Sequence, residues 1–365
     1  MTHCPSGDPI QYVDTQSEID RAVAAIAPCD ALYFDTEFLR EKTYHPLLCL
    51  AQINTGEEIF LVDPLSDNDY GQFWDALLGK RLVLHSGRQD LEVLKLASGR
   101  IPDAVFDTQI AAGLCGLPPQ VGYANLVSEI CNVDLAKAHT RTDWSRRPLA
   151  AAVLDYAADD VAYLPGIEKH LTDYLNSHHR SDWLEEDCQA LLEPSLYSVD
   201  PEQAFRKLRG IARLPTEVQQ RARALAGWRE TIAINRNLPR QWVLRDEQLI
   251  GIAFENPQGK DAVAEIKGVH RKFADRHAAA VIDVLNQPLV DIEPPAERPD
   301  EAEKARLKNM AKAVKECALS IGIEAEILAP QRELKRAARG DTDLRALRGW
   351  RDTVVGDVIR AHLPG

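Results

Sequence analysis

At 365 residues, with 45% apolar and 27% charged side chains, the chain has room for about two or three domains and the balance of a soluble globular protein, neither disordered nor membrane-like. Its net charge of −13 argues against nucleic acid only until it is divided: residues 1–200 hold 14 Lys and Arg against 32 Asp and Glu, whereas residues 205–245 hold ten against two. A locally basic segment of that kind is either a solvated helix face or a polyanion footprint.

From residue 31, short apolar runs alternate with helical patterns: strands at "ALYFDTEF", "LLCLAQI" and "EEIFLVDP", a helix at "YGQFWDALLG", a strand at "RLVLHS", a helix at "GRQDLEVLKLAS" and a strand at "AVFDT". This succession predicts a mixed sheet with helices on its faces, the first three strands pairing as antiparallel neighbours because their connections are short. The pattern is helical from about Tyr123 to Tyr174, and Pro165 is expected to stop or kink the helix. In "TDWSRRPL", Asp143 and Trp144 are expected to start a helix with Pro148 near its first turn, and Arg146 or Arg147 to meet the acidic face rather than act in catalysis.

"EPSLYSVDPEQAF" marks a boundary near residue 195, and the stretch from there to about Leu289 contains no convincing strand. "QPLVDIEPPAERPDEAEKAR" reads as a proline-rich acidic linker before a last helical stretch. "LAGWRET" at 225–231 and "LRGWRDT" at 347–353 hint at two related helical modules.

No apolar run approaches the roughly 20 residues of a membrane span, and the N-terminus lacks the basic start and apolar stretch of a signal peptide, so a cytoplasmic protein without membrane contact is expected. Seven cysteines without a C-x-x-C pair argue against a zinc site and a disulfide framework, and ten histidines without an H-E-x-x-H or His/Cys cluster add none.

Three stretches carry carboxylates in settings that invite chemistry. In "YFDTEF", Asp35 and Glu37 lie two residues apart on a strand and share one face while Thr36 points away. Two like charges that close need a cation between them or a proton on one. Hard oxygen ligands suit Mg²⁺ or Mn²⁺, although an exposed edge strand or a salt-bridged pair would also carry them. In "LVLHSGRQDLEVL", a strand ends at His85, Gly87 permits the turn, and Asp90 enters the first turn of a helix, where the helix dipole alone would favour it. In "LDYAADDVAYL", Tyr156 and Asp160 are spaced i, i+4 on one helix face and Asp159 turns toward solvent.

The order of these segments, together with "FDTQIAAGL", "VGYANLV" and "TDWSRRPL", resembles the ribonuclease D family, the tyrosine-containing branch of the DEDD 3′–5′ exonucleases. "LAGWRETIAINRNLPRQWVLRDEQLIGIA" through "IKGVH" resembles the HRDC domain, and "SIGIEAEILAPQRELKRAARG" through "LRGWRDTVVG" a more divergent second module of that type. The resemblance implies an α/β ribonuclease H-like exonuclease domain over 1–195, a first all-α HRDC domain over 205–290 and a second, divergent HRDC-like domain over 300–365. It implies a 3′–5′ exoribonuclease releasing 5′-mononucleotides, with single-stranded 3′ ends of tRNA precursors and other small structured RNAs as substrates.

The resemblance also implies two divalent ions, Mg²⁺ or Mn²⁺: Asp35, Glu37 and Asp160 hold the one that carries the attacking water, and Asp35 with Asp90 the one beside the leaving group. Tyr156 orients that water, serving better as an orienting group than as a base because a free tyrosine has a pKa near ~10. Phe38 follows the D-T-E motif as an aromatic that either stacks on the terminal base or packs in the core, and His85 either faces substrate or caps its strand. A monomer is implied, with the helical modules completing a ring or funnel over a single-stranded 3′ end. A DNA exonuclease using the same four carboxylates, and a non-catalytic RNA-binding adaptor with a vestigial site, are the competing readings.

Overall fold

The computed structural model describes residues 9–135, 142–290 and 299–364, which divide into two compact units. The first takes in the chain to Leu39, Leu48–Tyr197 and everything from Pro299; the second takes in Arg40–Leu47 and the chain from Ser198 to the 290s.

A six-stranded sheet organises the first unit. Its strands are β1 (Ile10–Val13), β2 (Ala31–Leu39), β3 (Leu47–Asn54), β4 (Ile59–Val62), β5 (Arg81–Leu84) and β6 (Ala104–Asp107), in the order β1-β4-β3-β2-β5-β6. β3 and β4 pair antiparallel, while β1–β4, β2–β5 and β5–β6 are parallel, so the sheet is mixed as expected. The helices are α1 (Gln16–Ile26), α2 (Gly71–Leu78), α3 (Arg88–Ser98), α4 (Thr108–Leu114), α5 (Tyr123–Cys131), α6 (Ala151–Ala162), α7 (Leu164–Ser177) and α8 (Ser181–Gln189). Alternation on β2 sends Leu32 and Phe34 into the main core with α1 and α3, and turns Tyr33, Asp35 and Glu37 to the opposite face, where α6 packs. The inner strands β3 and β4 are almost wholly buried, as strands covered on both faces must be. Ala157, Ala158 and Val161 let α6 lie close on Leu50, Ile59 and Leu61.

Three expectations need correction. The pattern read from residue 31 omits β1 and α1, although "TQSE" is a capping signal: the Thr15 amide donates to the Glu18 carboxylate at 3.1 Å. The stretch from Asp143 is a turn rather than a helix, because the Ser145 amide and hydroxyl both bind the Asp143 carboxylate at 3.2 and 2.6 Å, and the helix begins only at Ala151. Arg147 does meet an acid, but it is Asp63 at the end of β4; its guanidinium also donates to the Cys49 carbonyl at 2.6 Å and shares Asp63 with the Tyr12 hydroxyl. The expected break at Pro165 is present, between Ala162 and Leu164.

The C-terminal segment, α14 (Glu301–Ile321) with short helices after it, contributes Met310, Val314, Leu328, Trp350 and Ile359 to the same buried cluster as the sheet residues Leu82 and Leu84. In the second unit, α9 (Thr216–Asn235), α10 (Arg240–Val243), α11 (Asp246–Glu255), α12 (Lys260–Glu265) and α13 (Arg271–Leu285) enclose a separate core around Leu225, Leu249, Ile252 and Val281, and from Ser198 on its described residues hold no strand. The excursion Arg40–Leu47 belongs to this unit. The Tyr44 hydroxyl donates to the buried Glu230 carboxylate at 2.6 Å, and the Tyr44 and His45 amides donate to the Asn237 side chain at 3.0 and 2.9 Å. Among the described residues no helix is long and apolar enough to cross a membrane.

Candidate active site

β2, α3 and α6 bring Asp35, Glu37, Asp90, Tyr156 and Asp160 into one electrostatic neighbourhood. Burial, then the charges of Asp90, Asp160 and Glu37, push the Asp35 carboxyl well above its ordinary range. Burial, then Asp160 and Asp90, raise Glu37 to about 8. Burial raises Asp160 to about 7 even though the Tyr156 hydroxyl donates to it, and raises Asp90 to about 6 against a hydrogen bond from Thr36. Among the described residues, no lysine or arginine is a leading influence on these four carboxylates. Tyr156 is itself held above the usual phenol range by burial, then by Asp160, Glu37 and Asp35.

Among the described residues, no three acidic, histidine or cysteine side chains converge into a closed metal cage. The donor set nevertheless fits a hard divalent cation: four carboxylates, recessed or buried, with no thiol and no imidazole in the group.

The supporting residues are those the sequence does not advertise. The Thr36 hydroxyl donates to Asp90 and so ties α3 to the strand bearing Asp35 and Glu37. Asp107 caps α4 through the Gln109 and Ile110 amides at 2.9 and 3.2 Å, and also accepts the Ser86 and Gly87 amides at 3.2 and 2.9 Å, fixing the turn that delivers Asp90. An N-cap aspartate directly before "TQIAAGL" is the sequence signal that could have found it. In that turn Ser86 takes the left-handed conformation, φ 58°. Gly87 is needed for space instead, since a Cβ there would lie 2.8 Å from that of Leu84.

His85 is engaged on both ring nitrogens: Nε2 donates to the Val121 carbonyl at 3.1 Å, and Nδ1 lies 2.9 Å from the Thr108 hydroxyl, which itself donates to the Leu84 carbonyl at 3.0 Å. Burial lowers its pKa, against the charge of Asp107. Phe38 is half-buried and joins none of the hydrophobic clusters of the described residues.

A mixed sheet carrying recessed carboxylates on β2, α3 and α6 fits the 3′–5′ exonuclease class, which the comparisons with known proteins show. A family model described as "3'-5' exonuclease" matches residues 10–176, and one described as "HRDC domain" matches 218–285. Ribonuclease D of Gluconacetobacter diazotrophicus is 35% identical over 98% of this chain and 93% of its own, and that of Xanthomonas oryzae pv. oryzae 36% identical over 94% and 96%. The crystal structure of Escherichia coli RNase D, an exoribonuclease involved in structured RNA processing, superposes with a TM-score of 0.85 at 27% identity, covering 99% of this chain and 98% of that one. The catalytic core of RRP6 from Trypanosoma brucei, 22% identical with a TM-score of 0.60, shares the fold. The chain belongs to the ribonuclease D family and is a 3′–5′ exoribonuclease.

Proposed function

We propose that the protein removes 5′-mononucleotides from single-stranded RNA 3′ ends by a reaction that uses two divalent ions, and that tRNA precursors are among its substrates. The observation that carries the proposal is the set of four carboxylates whose pKa values are raised by burial and, for Asp35, Glu37 and Asp160, by neighbours within the set. Mg²⁺ or Mn²⁺ bound by Asp35, Glu37, Asp90 and Asp160 would supply an activated water and would stabilise charge at phosphorus and at the leaving 3′ oxygen.

The rest of the chemistry falls to the chain's own groups. Tyr156, raised above the usual phenol range, stays protonated and orients a water by hydrogen bonding. Phe38 is assigned to stack on the terminal base, a reading supported by its lying outside the described core clusters. His85, with both nitrogens occupied, supports the site from behind rather than donating to substrate.

In the second unit a groove of about 1520 Å³ is lined by Arg236, Arg245, Lys267 and Lys272, and its Trp242 and Phe254 are 62% and 59% exposed. Cations beside open aromatic faces suit single-stranded RNA, through phosphate contacts and base stacking. Arg229 of the basic run takes no part, being buried against Asp246. Residues 300–365 are read as a second, divergent HRDC-like module, supported by the parallel between Trp228–Arg229 and Trp350–Arg351, with the arginine buried in each. The protein is taken to act as a monomer.

Time-resolved digestion of a tRNA precursor with a 3′ tail, in Mg²⁺, Mn²⁺ or chelator, tests the proposal. A ladder of single-nucleotide steps that needs the metal and is lost in Asp35→Ala is expected. Faster trimming of matched DNA would reverse the substrate assignment, and activity unchanged in Asp35→Ala would remove the site.

A further inference from the structure

Tyr123 opens α5, yet its hydroxyl is engaged on another helix. It donates to the Asp159 carbonyl at 2.9 Å and accepts the Tyr163 amide at 3.4 Å. Asp159 and Tyr163 are four residues apart, so in an unbroken α-helix that amide would donate to that carbonyl directly. The phenol oxygen sits within this one rung of the ladder, and α6 ends and α7 begins there. A side chain inserted into the i to i−4 ladder is one of the few physical causes of a sharp helix break.

The next orphan of the break is satisfied from the sheet. Pro165 has no N–H to give the Val161 carbonyl, and the fully buried Asn54 on β3 donates its side-chain N–H to that carbonyl at 3.2 Å. The break is thus pinned from two directions, by Asn54 beneath and Tyr123 at the side. The Tyr123 ring is in turn seated against His85, 5.6 Å between centroids, whose nitrogens are anchored on Thr108 and Val121. Asp160 is the residue immediately after the interrupted carbonyl, and Tyr156 lies one turn before it on the same face. Asp160 and Asp35 both add to the effect of burial in raising the Tyr123 hydroxyl above its ordinary range, so the phenol stands within reach of their fields.

We propose that Tyr123 is a positioning residue for Asp160: its hydroxyl, spliced between the Asp159 carbonyl and the Tyr163 amide, fixes the last turn of α6 and hence the direction in which the Asp160 carboxylate is presented. Without the hydroxyl the Tyr163 amide can close directly onto Asp159. The last turn of α6 would then rewind and carry Asp160 with it, while the ring contact with His85 survives. This inference rests on the reading of Asp160 as a metal ligand.

The test compares the full-length wild type, Tyr123→Phe and Asp160→Ala. Mn²⁺ binding is measured by titration calorimetry, kcat and KM on a single-stranded RNA, and folding by thermal melting. Tyr123→Phe is expected to weaken Mn²⁺ binding and lower kcat by about tenfold, the lower end of what removing a group that orients a metal ligand costs, with KM within about twofold of wild type. Wild-type Mn²⁺ affinity and kcat in Tyr123→Phe would overturn the proposal, with or without a lower melting temperature, and so would a variant that fails to fold. Mn²⁺ binding unchanged in Asp160→Ala would instead remove the metal-site reading, a failure visible whatever Tyr123→Phe does.

Discussion

Trp228–Arg229 and Trp350–Arg351 place the same dipeptide in two settings. Arg229, 1% exposed, donates to the Leu244 carbonyl at 2.8 Å and to Asp246 at 2.7 Å, all within the helical unit. Arg351, 2% exposed, holds both oxygens of Asp187 on α8 at 2.6 and 2.7 Å and the Ile327 carbonyl at 2.8 Å, while its neighbour Trp350 stacks on Trp183 at 4.2 Å. One arginine closes a core of its own. The other ties a helical segment into the core of the exonuclease sheet, so similarity of motif does not carry independence of folding.

Truncation after residue 298 puts that difference to its hardest test. It strips Met310, Val314, Leu328 and Ile359, all fully buried, from the cluster that contains Leu82 and Leu84. At about 1.5–3 kcal/mol for each large apolar side chain, the loss is comparable with the ~5–15 kcal/mol that holds a domain together. The truncated protein is therefore expected to lose cooperative unfolding and soluble yield. A sharp, wild-type melt from the shortened chain would show that the segment is an appendage.

Single substitutions sharpen the contrast. Arg351→Met leaves the buried Asp187 with the half-exposed Arg345 and the Trp350 indole N–H as partners, and should cost about 3–5 kcal/mol, read as a lower denaturant midpoint of the first unit. Arg229→Met breaks bonds to a carbonyl and to the partly exposed Asp246, for which about 1.5–3 kcal/mol is expected, confined to the second unit. Equal losses in the same transition would erase the distinction.

The aromatic surface differs in the same sense. Trp350 is 6% exposed, spent on packing, whereas Trp242 is 62% exposed beside basic groove residues. Trp242→Ala should weaken binding of long single-stranded RNA by about 1–3 kcal/mol, the worth of one base stack, and leave both melting transitions in place. Unchanged affinity would move RNA binding away from the groove.

Legibility in the sequence tracks which forces are local. The i, i+2 alternation of Asp35 and Glu37, the turn before Asp90 and the i, i+4 spacing of Tyr156 and Asp160 are backbone periodicities, and the strands and helices bearing them lie where the pattern puts them. Thr36, Asp107 and Tyr123 act through hydrogen bonds to elements distant in sequence, which no periodicity encodes. The turn at Asp143 was hidden because a side-chain capture by Ser145 competes with the helix signals around it. An apolar stripe on α14 announces burial but does not say against what, so the core that 300–365 shares with the sheet could not be read from the sequence.

The smallest expected effect isolates the buried pair by its charge. Burial alone would raise the Asp187 pKa, but hydrogen bonds and charge from Arg351, with help from Arg345, hold it below the ordinary carboxylate value. A depressed pKa contributes stability that is fully present above the unfolded value, near ~4, and lost as pH falls through the folded one. In Arg351→Met burial is opposed only by Arg345 and the Trp350 indole, so the depression of the Asp187 pKa shrinks and with it the stability that is lost on acidification. The stability gap between wild type and Arg351→Met should accordingly be widest near neutral pH and narrow on acidification toward ~4. Denaturant titrations at several pH values measure that gap; one that stays constant would mean that Arg351 stabilises the fold by packing on Trp350, 4.1 Å from its ring, rather than by neutralising Asp187.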